Sequence, residues 1–221
     1  MSSDDVQTIY GQRFAANREY RQKIWRVLID DFFQGLLGKD AAVLDLGCGY
    51  GEFINQITAR EKFGIDLNPD SAAMFTSGVK FFRQDCSQTW PLPDNTLDAV
   101  FTSNFFEHLP DKATLGRTLE QARRCLKPGG RLVALGPNIK YLPGAYWDFW
   151  DHYLPLTELS LSEGLRNRGF NVARCYARFL PYTMAGGPQY PLLLLRVYLR
   201  LSVAWRFFGK QFLVVAVKPK F

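Results

Sequence analysis

Three glycines at alternate positions follow a short apolar segment that contains one acid. The segment is residues 43–46 with Asp45 as its acid, and the glycines are Gly47, Gly49 and Gly51. A short, bounded apolar run is typical of a buried strand, and glycines allow the backbone to turn sharply and approach a ligand closely. The chemistry of such a turn is binding through backbone N–H groups. The pattern therefore predicts a ligand-binding turn that leads from a strand into a helix.

Two further acids stand at the ends of apolar runs. Asp66 ends the run at 63–66, and its carboxylate offers two oxygens that can accept hydrogen bonds from the vicinal hydroxyls of a ribose. Asp85 comes after a strand predicted at 79–83, and taken alone it is explained equally well as a loop acid. These acids extend the predicted binding site beyond the glycines.

His108 and His152 are the only histidines in the chain, and they are the candidate catalytic residues. A histidine can take the proton from an acceptor hydroxyl as that hydroxyl attacks an electrophile. Glu107 stands beside His108, but one Glu-His pair is too little to indicate a metal. We therefore predict no metal site.

Hydrophobic periodicity and turn residues give the elements that must position these groups. The predicted strands are 42–46, 63–66, 79–83, 97–103, 131–135, 170–177 and 212–217. The predicted helices are 18–37, 51–60, 70–76, 111–126, 156–168 and 191–208. The first helix should end at Gly38, and Thr157 should cap the fifth.

The run Leu-Lys-Pro-Gly-Gly-Arg-Leu-Val at 126–133 completes a recognisable set of motifs. Together with the glycine turn, Asp66 and Asp85, it closely resembles the class I S-adenosylmethionine (SAM)-dependent methyltransferases. The motifs cover residues 43–135. The third glycine follows the second by two residues rather than three, which disfavours a nicotinamide oxidoreductase.

The resemblance implies an α/β fold. It predicts a seven-stranded, mostly parallel sheet with helices on both faces, an antiparallel last strand and a helical insert before that strand. The chain should then be a single methyltransferase domain, 1–221, with an N-terminal helical cap at 1–38 and the insert at 179–210. In this family such a helical cap often covers the cofactor, so Tyr10, Arg13 and Arg21 could face the pocket.

The resemblance also implies that the chain is an enzyme that uses SAM and releases S-adenosylhomocysteine. Residues 45–51 would hold the methionine part, the Asp66 region the ribose, the Asp85 region the adenine, and the end of the fourth strand the sulfonium. The residues implied for cofactor binding are Asp45, Gly47, Cys48, Gly49, Gly51, Asp66, Leu67, Asp85, Cys86, Asn104 and Phe105.

The acceptor is expected to be a small molecule. Residues 137–156 form a loop dense in aromatic residues, from which Tyr146, Trp147 and Trp150 are the candidate substrate contacts. Such a loop after strand five should lie at the ligand-binding edge of the sheet, although a packed surface loop explains it too. We expect methylation at oxygen more than at nitrogen. The candidate acceptors are a lipid-linked sugar, a quinone-like lipid or a secondary metabolite.

Two other functions stay open: an RNA or protein methyltransferase, and a non-catalytic SAM-binding protein. The segment after strand four reads Ser103-Asn104-Phe105-Phe106 and lacks the Asn/Asp-Pro-Pro-aromatic tetrad common in nucleic-acid amino-methyltransferases, so nucleic acid is disfavoured. The net charge of +6 is concentrated at one end, because residues 164–221 hold ten basic residues and no acidic ones. That end is either a solvated basic face or a site for an anionic partner.

The remaining expectations concern location and assembly. The four cysteines form no Cys-x-x-Cys pair and the first residues lack a secretory signal, so we expect a cytoplasmic protein. The basic amphipathic helix at 191–208 is too short and too charged to span a bilayer. It could contact a membrane surface, or pack within a monomer or homodimer.

Overall fold

The computed structural model describes residues 18–182 and 189–220. Seven strands form one sheet, as the sequence predicts. They are β1 (Ala42–Leu46), β2 (Glu61–Asp66), β3 (Val79–Arg83), β4 (Leu97–Ser103), β5 (Leu126–Pro137), β6 (Asn171–Tyr176) and β7 (Gln211–Val217).

The strand order is β3-β2-β1-β4-β5-β7-β6, and β7 runs antiparallel to both of its neighbours. The pairs β1–β2, β1–β4, β2–β3 and β4–β5 are parallel. This arrangement confirms the predicted mostly parallel sheet with an antiparallel last strand. Because β1 lies between β2 and β4, the segments that follow these three strands meet at one edge of the sheet.

The helices cover both faces of the sheet. They are α1 (Arg18–Leu28), α2 (Gln34–Leu37), α3 (Lys112–Cys125), α4 (Glu158–Arg166), α5 (Leu192–Arg200) and α6 (Ser202–Phe208). One core contains Leu44 and Val100 beneath α3 and α4, while the other contains Val43 and Phe101 beneath α1 and α5. Neighbouring strand residues thus point into opposite cores, as expected for a sheet buried on both faces.

The predicted N-terminal helix is present and continuous. Between α1 and α2, residues Ile29–Phe33 form a π-helical turn, and the helix ends at Gly38, whose φ is +83°. Arg21 faces the glycine turn, because its Nη2 lies 2.7 Å from Oε1 of Glu52. Tyr10 and Arg13, which the resemblance placed near the pocket, lie outside the described residues.

One predicted helix is absent, and another has a different helical form. Residues 51–60 form successive turns instead of a helix, and the chain is already bound back to the sheet at residue 60, where the Arg60 N–H donates to the Ala41 carbonyl at 2.9 Å. Nine residues of α-helix would advance only about 14 Å, too little to return along β1 and turn twice. The predicted helix at 70–76 is a 3₁₀ segment, Pro69–Met74, that begins at an Asn68 side-chain cap.

The helical insert also differs from its prediction. The expected helix at 191–208 is two helices, because the chain breaks at Leu201 between α5 and α6. Strand β5 begins five residues earlier than predicted, at Leu126, so the Pro-Gly-Gly turn lies inside the paired strand. Thr157 caps α4 as predicted and shares a capping box with Ser160. Within residues 18–182 and 189–220 no helix is long and apolar enough to cross a membrane.

Candidate active site

The glycine turn lies against the ends of three strands. Gly47, Gly49 and Gly51 all have positive φ, at +70°, +50° and +75°. The Gly47 N–H donates to the Ile65 carbonyl of β2 at 2.9 Å. A Cβ placed on Gly47 would lie 2.2 Å from Cγ of Phe105, so the aromatic ring after β4 fills the space that the glycine leaves.

Asp66 holds this turn in place. Its Oδ2 accepts the Gly49 N–H and its Oδ1 accepts the Asn68 N–H, both at 2.8 Å. The side chain is buried. Burial raises the pKa of Asp66, and the backbone hydrogen bonds oppose that rise. Because each carboxylate oxygen has two acceptor positions, both can still accept a ligand hydroxyl.

Asp45 adds a second buried carboxylate beside the glycines. Burial raises its pKa well above the ordinary value, and the neighbouring carboxylates of Asp66 and Glu52 raise it further. A cationic ligand would lower the pKa of both acids and stabilise their charged forms. SAM carries a sulfonium and an ammonium group, so the charge of this pocket fits that cofactor.

The predicted adenine residues lie after β3. Asp85 accepts the Ser87 N–H at its Oδ1 at 2.8 Å, which forms a local turn. The Cys86 thiol is buried 3.3 Å from the Thr118 hydroxyl, and burial raises its pKa to about 12. Cys48 is buried in the same way, and its pKa is raised by burial. Both thiols are therefore buried, neutral packing groups.

The remaining predicted cofactor residues lie at the ends of β2 and β4. Leu67 is exposed directly after Asp66. Asn104 has a φ of +49°, rare for a residue other than glycine, and its N–H donates to the Leu135 carbonyl at 2.9 Å. Phe105 follows in contact with the glycine turn. The structure thus brings the predicted residues of four strand ends to one edge of the sheet.

His108 lies in the 3₁₀ turn Phe106–His108 that follows β4. Its Nδ1 is 3.2 Å from Oδ2 of Asp151 and 2.9 Å from the Asp151 carbonyl oxygen. Because both partners are acceptors, Nδ1 carries the hydrogen, and in the neutral ring the lone pair is on Nε2. His108 is also near enough to Asp66 to oppose the rise in the pKa of that acid.

Asp151 changes the basicity of His108. Burial by itself lowers the pKa of His108, but the hydrogen bond that its Nδ1 donates to Asp151 and the charge of Glu107 outweigh burial and raise the pKa overall. An aspartate on Nδ1 also stabilises the imidazolium that forms when the ring takes a proton. The pair therefore has the geometry of an oriented general base.

The backbone of Glu107 fixes the aromatic loop against this turn. Its carbonyl oxygen accepts the N–H groups of Tyr153 and Leu154, at 2.8 and 3.0 Å. These two bonds hold the preceding residue pair, Asp151 and His152, beside His108. The buried side chain of Glu107 has its pKa raised to about 7 by burial, the largest of the effects on it.

His152 is the second candidate base, and it is more enclosed. Its Nδ1 lies 2.8 Å from the Tyr146 carbonyl oxygen, and its ring stacks on Phe149 with centroids 4.8 Å apart. The rings of His108 and His152 are 5.1 Å apart. One ligand atom from each of Glu107, His108 and His152 lies within 4.8 Å of the others, so these residues could share a divalent cation. Only the fold brings His152 to Glu107 and His108, so the sequence, from which no metal site is predicted, does not indicate this cluster.

The three predicted substrate residues are placed differently. Tyr146 is buried against His152, with ring centroids 4.7 Å apart. Its hydroxyl has no hydrogen-bond partner among the described residues. Trp147 and Trp150 are exposed, at 56% and 85%. Tyr146 is therefore next to the candidate bases, and the two tryptophans are at the surface.

Sequence reasoning missed Asp151 as a site residue. The available signal was an acid directly before His152 in an otherwise aromatic segment. Its partner His108 is 43 residues earlier in the chain, and only the folded loop brings them together.

Comparison with known proteins agrees with this geometry. Residues 44–134 match the methyltransferase domain family. The chain is 32% identical over 143 residues to a protein of Mycolicibacterium smegmatis described as a "probable S-adenosylmethionine-dependent methyltransferase", an alignment that covers 61% of this chain and 53% of that protein. It is 34% identical over 132 residues to demethylmenaquinone methyltransferase of Symbiobacterium thermophilum, an alignment that covers 52% of this chain and 51% of that protein. The chain thus spans about half the length of these relatives.

A solved structure shows the same fold. A SAM-dependent methyltransferase from Archaeoglobus fulgidus superposes with a TM-score of 0.65 at 23% identity, over 91% of this chain and 97% of that chain. The segment that matches the methyltransferase domain family includes the glycine turn, Asp66, Asp85 and His108. The sequence and the fold together support a class I SAM-dependent methyltransferase domain in this chain, with SAM as its cofactor.

Proposed function

We propose that the protein transfers the methyl group of SAM to an oxygen of a small, partly apolar acceptor, with His108 as the general base. The single observation that carries the oxygen assignment is the contact of His108 Nδ1 with Asp151, at 3.2 Å from the carboxylate. An aliphatic hydroxyl needs a base to take its proton, whereas a neutral amine can attack without one. An oriented histidine next to the cofactor side therefore favours an oxygen acceptor.

The cofactor would be held by the buried edge of the sheet. Asp45 and the glycine backbones would contact the methionine part, Asp66 the ribose, and Asp85 with the Cys86 backbone the adenine. When bound, SAM supplies an electrophilic methyl group and its own leaving group. The protein then has to align the acceptor and keep water out.

The acceptor would enter between the turn after β4 and the aromatic loop. There, Nε2 of His108 would take the hydroxyl proton, and Asp151 would stabilise the imidazolium that results. Tyr146 and Phe149 give this side an apolar wall, because both rings pack on His152. Such a wall suits an acceptor with a ring or an acyl chain beside its hydroxyl. A quinone-like lipid, a lipid-linked sugar or a secondary metabolite meets this description, and one relative is named for demethylmenaquinone.

The test has two stages. In the first, S-adenosylhomocysteine is titrated calorimetrically into the wild type, with NAD as the control ligand. Binding of S-adenosylhomocysteine without NAD binding is expected, and preference for NAD would overturn the cofactor assignment. In the second, the protein is incubated with radiolabelled SAM and a panel of phenols, alcohols and matched amines.

Transfer to the hydroxyl compounds is expected. Transfer only to amines would overturn the role of His108. RNA, protein and cell extract are also tested as acceptors. If S-adenosylhomocysteine bound but no methyl group was transferred to any of these acceptors, a non-catalytic SAM-binding protein would be favoured.

A further inference from the structure

The outer face of α5 is apolar although it faces solvent. Leu192, Leu195 and Leu199 lie on its inner side and pack into the core next to α1. On its outer side Leu193 and Leu194 are 69% and 56% exposed, and Val197 and Leu201 continue the stripe at helical spacing. A helix that is apolar on both sides is normally covered on both sides.

Helix α6 extends the same surface. Phe207 and Phe208 are 70% and 65% exposed, while Trp205 points inward and is buried. Of the thirteen exposed large apolar side chains among the described residues, eight lie within 190–208. Single exposed apolar residues are ordinary, but a cluster of this kind marks a site of interaction. The eight are Tyr190, Leu193, Leu194, Val197, Leu201, Val203, Phe207 and Phe208.

Exposed cations lie on the same two helices. Arg200 and Arg206 are exposed, and Lys210 follows α6. None of the three has an ion-pair partner in the part of the chain that the structure describes. Arg196 differs, because it is paired with Asp31 of the π-helical turn. No acidic residue follows Glu163 in the sequence, so nothing within 190–210 offsets these cations.

We propose that α5 and α6 form a docking surface for an anionic phospholipid membrane. Apolar side chains would enter the boundary between headgroups and acyl chains, and the arginines and Lys210 would lie at the lipid phosphates. A second copy of the chain fits less well, because a symmetric contact would bring the same unpaired cations together. The helices have nine and seven residues, so they lie along the surface rather than across it.

The surface is already formed before any membrane is present. The Trp205 indole N–H donates to the Tyr198 carbonyl at 2.9 Å, which joins α6 to α5. The Arg178 guanidinium donates to the carbonyls of Phe207 and Gly209 at 2.7 and 2.8 Å. Because these bonds hold the two phenylalanines in place, docking would not have to order the helices first.

The same arginine connects the surface to the aromatic loop. The guanidinium carbon of Arg178 lies 4.7 Å from the centre of the Tyr141 ring, at the start of that loop. Phe149 of the loop packs edge-on against Tyr182, with centroids 6.1 Å apart. The docking surface is therefore linked through Arg178 to the start of the aromatic loop, although membrane binding itself requires neither cofactor nor acceptor.

The experiment is co-sedimentation of the full chain with vesicles, without SAM. Vesicles of phosphatidylcholine are compared with vesicles of phosphatidylcholine and phosphatidylglycerol at 7:3. We expect binding to the anionic vesicles, weakened by added salt. The double variant Phe207→Ser/Phe208→Ser should lower the partition coefficient at least about tenfold. The double variant Arg200→Gln/Arg206→Gln should lower it about 25-fold on anionic vesicles and little on neutral ones.

Leu159→Ser is the matched control, because Leu159 is 60% exposed on α4, outside the docking surface. It should bind like the wild type, and thermal unfolding should show that each variant folds. Failure of the wild type to bind vesicles would overturn the proposal, as would an equal loss in the control. If the wild type formed a dimer but did not bind vesicles, and the Phe207→Ser/Phe208→Ser variant abolished that dimer, the surface would be assigned to a second copy of the chain. Salt-dependent binding to RNA without vesicle binding would assign it to nucleic acid.

Discussion

The proposed cofactor side of the site, residues 44–105, and the proposed acceptor side, residues 106–153, obtain their functional groups in different ways. On the cofactor side, backbone N–H groups and short acids occupy the ends of adjacent parallel strands, as Gly49 and Asp66 do at 2.8 Å. On the acceptor side, His108 depends on Asp151, which lies 43 residues further along the chain and reaches His108 through a long loop. The sheet therefore fixes the cofactor groups, whereas loop packing fixes the acceptor groups.

This difference should separate binding from turnover. His108→Gln is expected to lower kcat about 10²- to 10⁴-fold, because glutamine cannot take the acceptor proton. The dissociation constant of S-adenosylhomocysteine should change less than about twofold, since β1 and β2 hold the cofactor groups. His152→Gln serves as the matched control. Equal loss in both histidine variants would contradict a single base.

Asp66→Ala should have the opposite effect, because it should weaken cofactor binding. It removes a buried acceptor and leaves the N–H groups of Gly49 and Asn68 without their partner. We expect the affinity for S-adenosylhomocysteine to fall about 10²- to 10³-fold, from the loss of charge-assisted hydrogen bonds. Calorimetric titration measures this change, with Asp85→Ala beside it. Unchanged affinity in Asp66→Ala would show that the strand ends do not form the cofactor side.

Asp151→Asn should have a smaller effect that depends on pH. Asparagine retains a hydrogen-bond acceptor but removes the charge that raises the pKa of His108. A base is active when deprotonated, so kcat rises with pH through the pKa of the histidine. Lowering that pKa should move the rise in kcat to lower pH. It should also reduce the highest kcat about 10- to 100-fold, because the histidine becomes a weaker base.

A pH–rate profile with and without the substitution tests this prediction. The other ionisable groups around His108 are Glu107, His152 and Asp66, which are unchanged in the variant. If the rise in kcat did not move, Asp151 would be only a structural contact of the loop.

Metal removal should have the smallest effect. We expect chelation with EDTA, followed by gel filtration, to change kcat less than about twofold, because the proposed base needs no cation. Atomic emission spectroscopy on the purified protein gives an independent readout. If activity fell and returned with added zinc or magnesium, the Glu107, His108 and His152 cluster would hold a cation, and the acceptor side would work by metal assistance.

The sequence predicts the strands and the glycine turn well for a physical reason. β3 and β4 have the predicted bounds, and the glycine turn follows β1 as expected, because apolar strands and glycines are local signals. The helix predicted at 51–60 fails because the space available between β1 and β2 decides its conformation, and periodicity alone does not report that space. Similarly, the break at Leu201 and the contact of Asp151 with His108 depend on packing between distant segments.

The π-helical turn Ile29–Phe33 determines which way the side chains before it in the N-terminal helix point. Phe32 contacts Phe179 and Trp205 of the insert, with ring centroids 4.8 and 6.1 Å apart. Its neighbour Phe33 contacts Phe101 of the sheet, with centroids 5.1 Å apart. A π turn contains about one residue more than an α turn, so it rotates everything before it by about 100° relative to an uninterrupted helix. That rotation points Arg21 at Glu52. Deleting one residue here would disturb the cofactor pocket without changing any side chain in it.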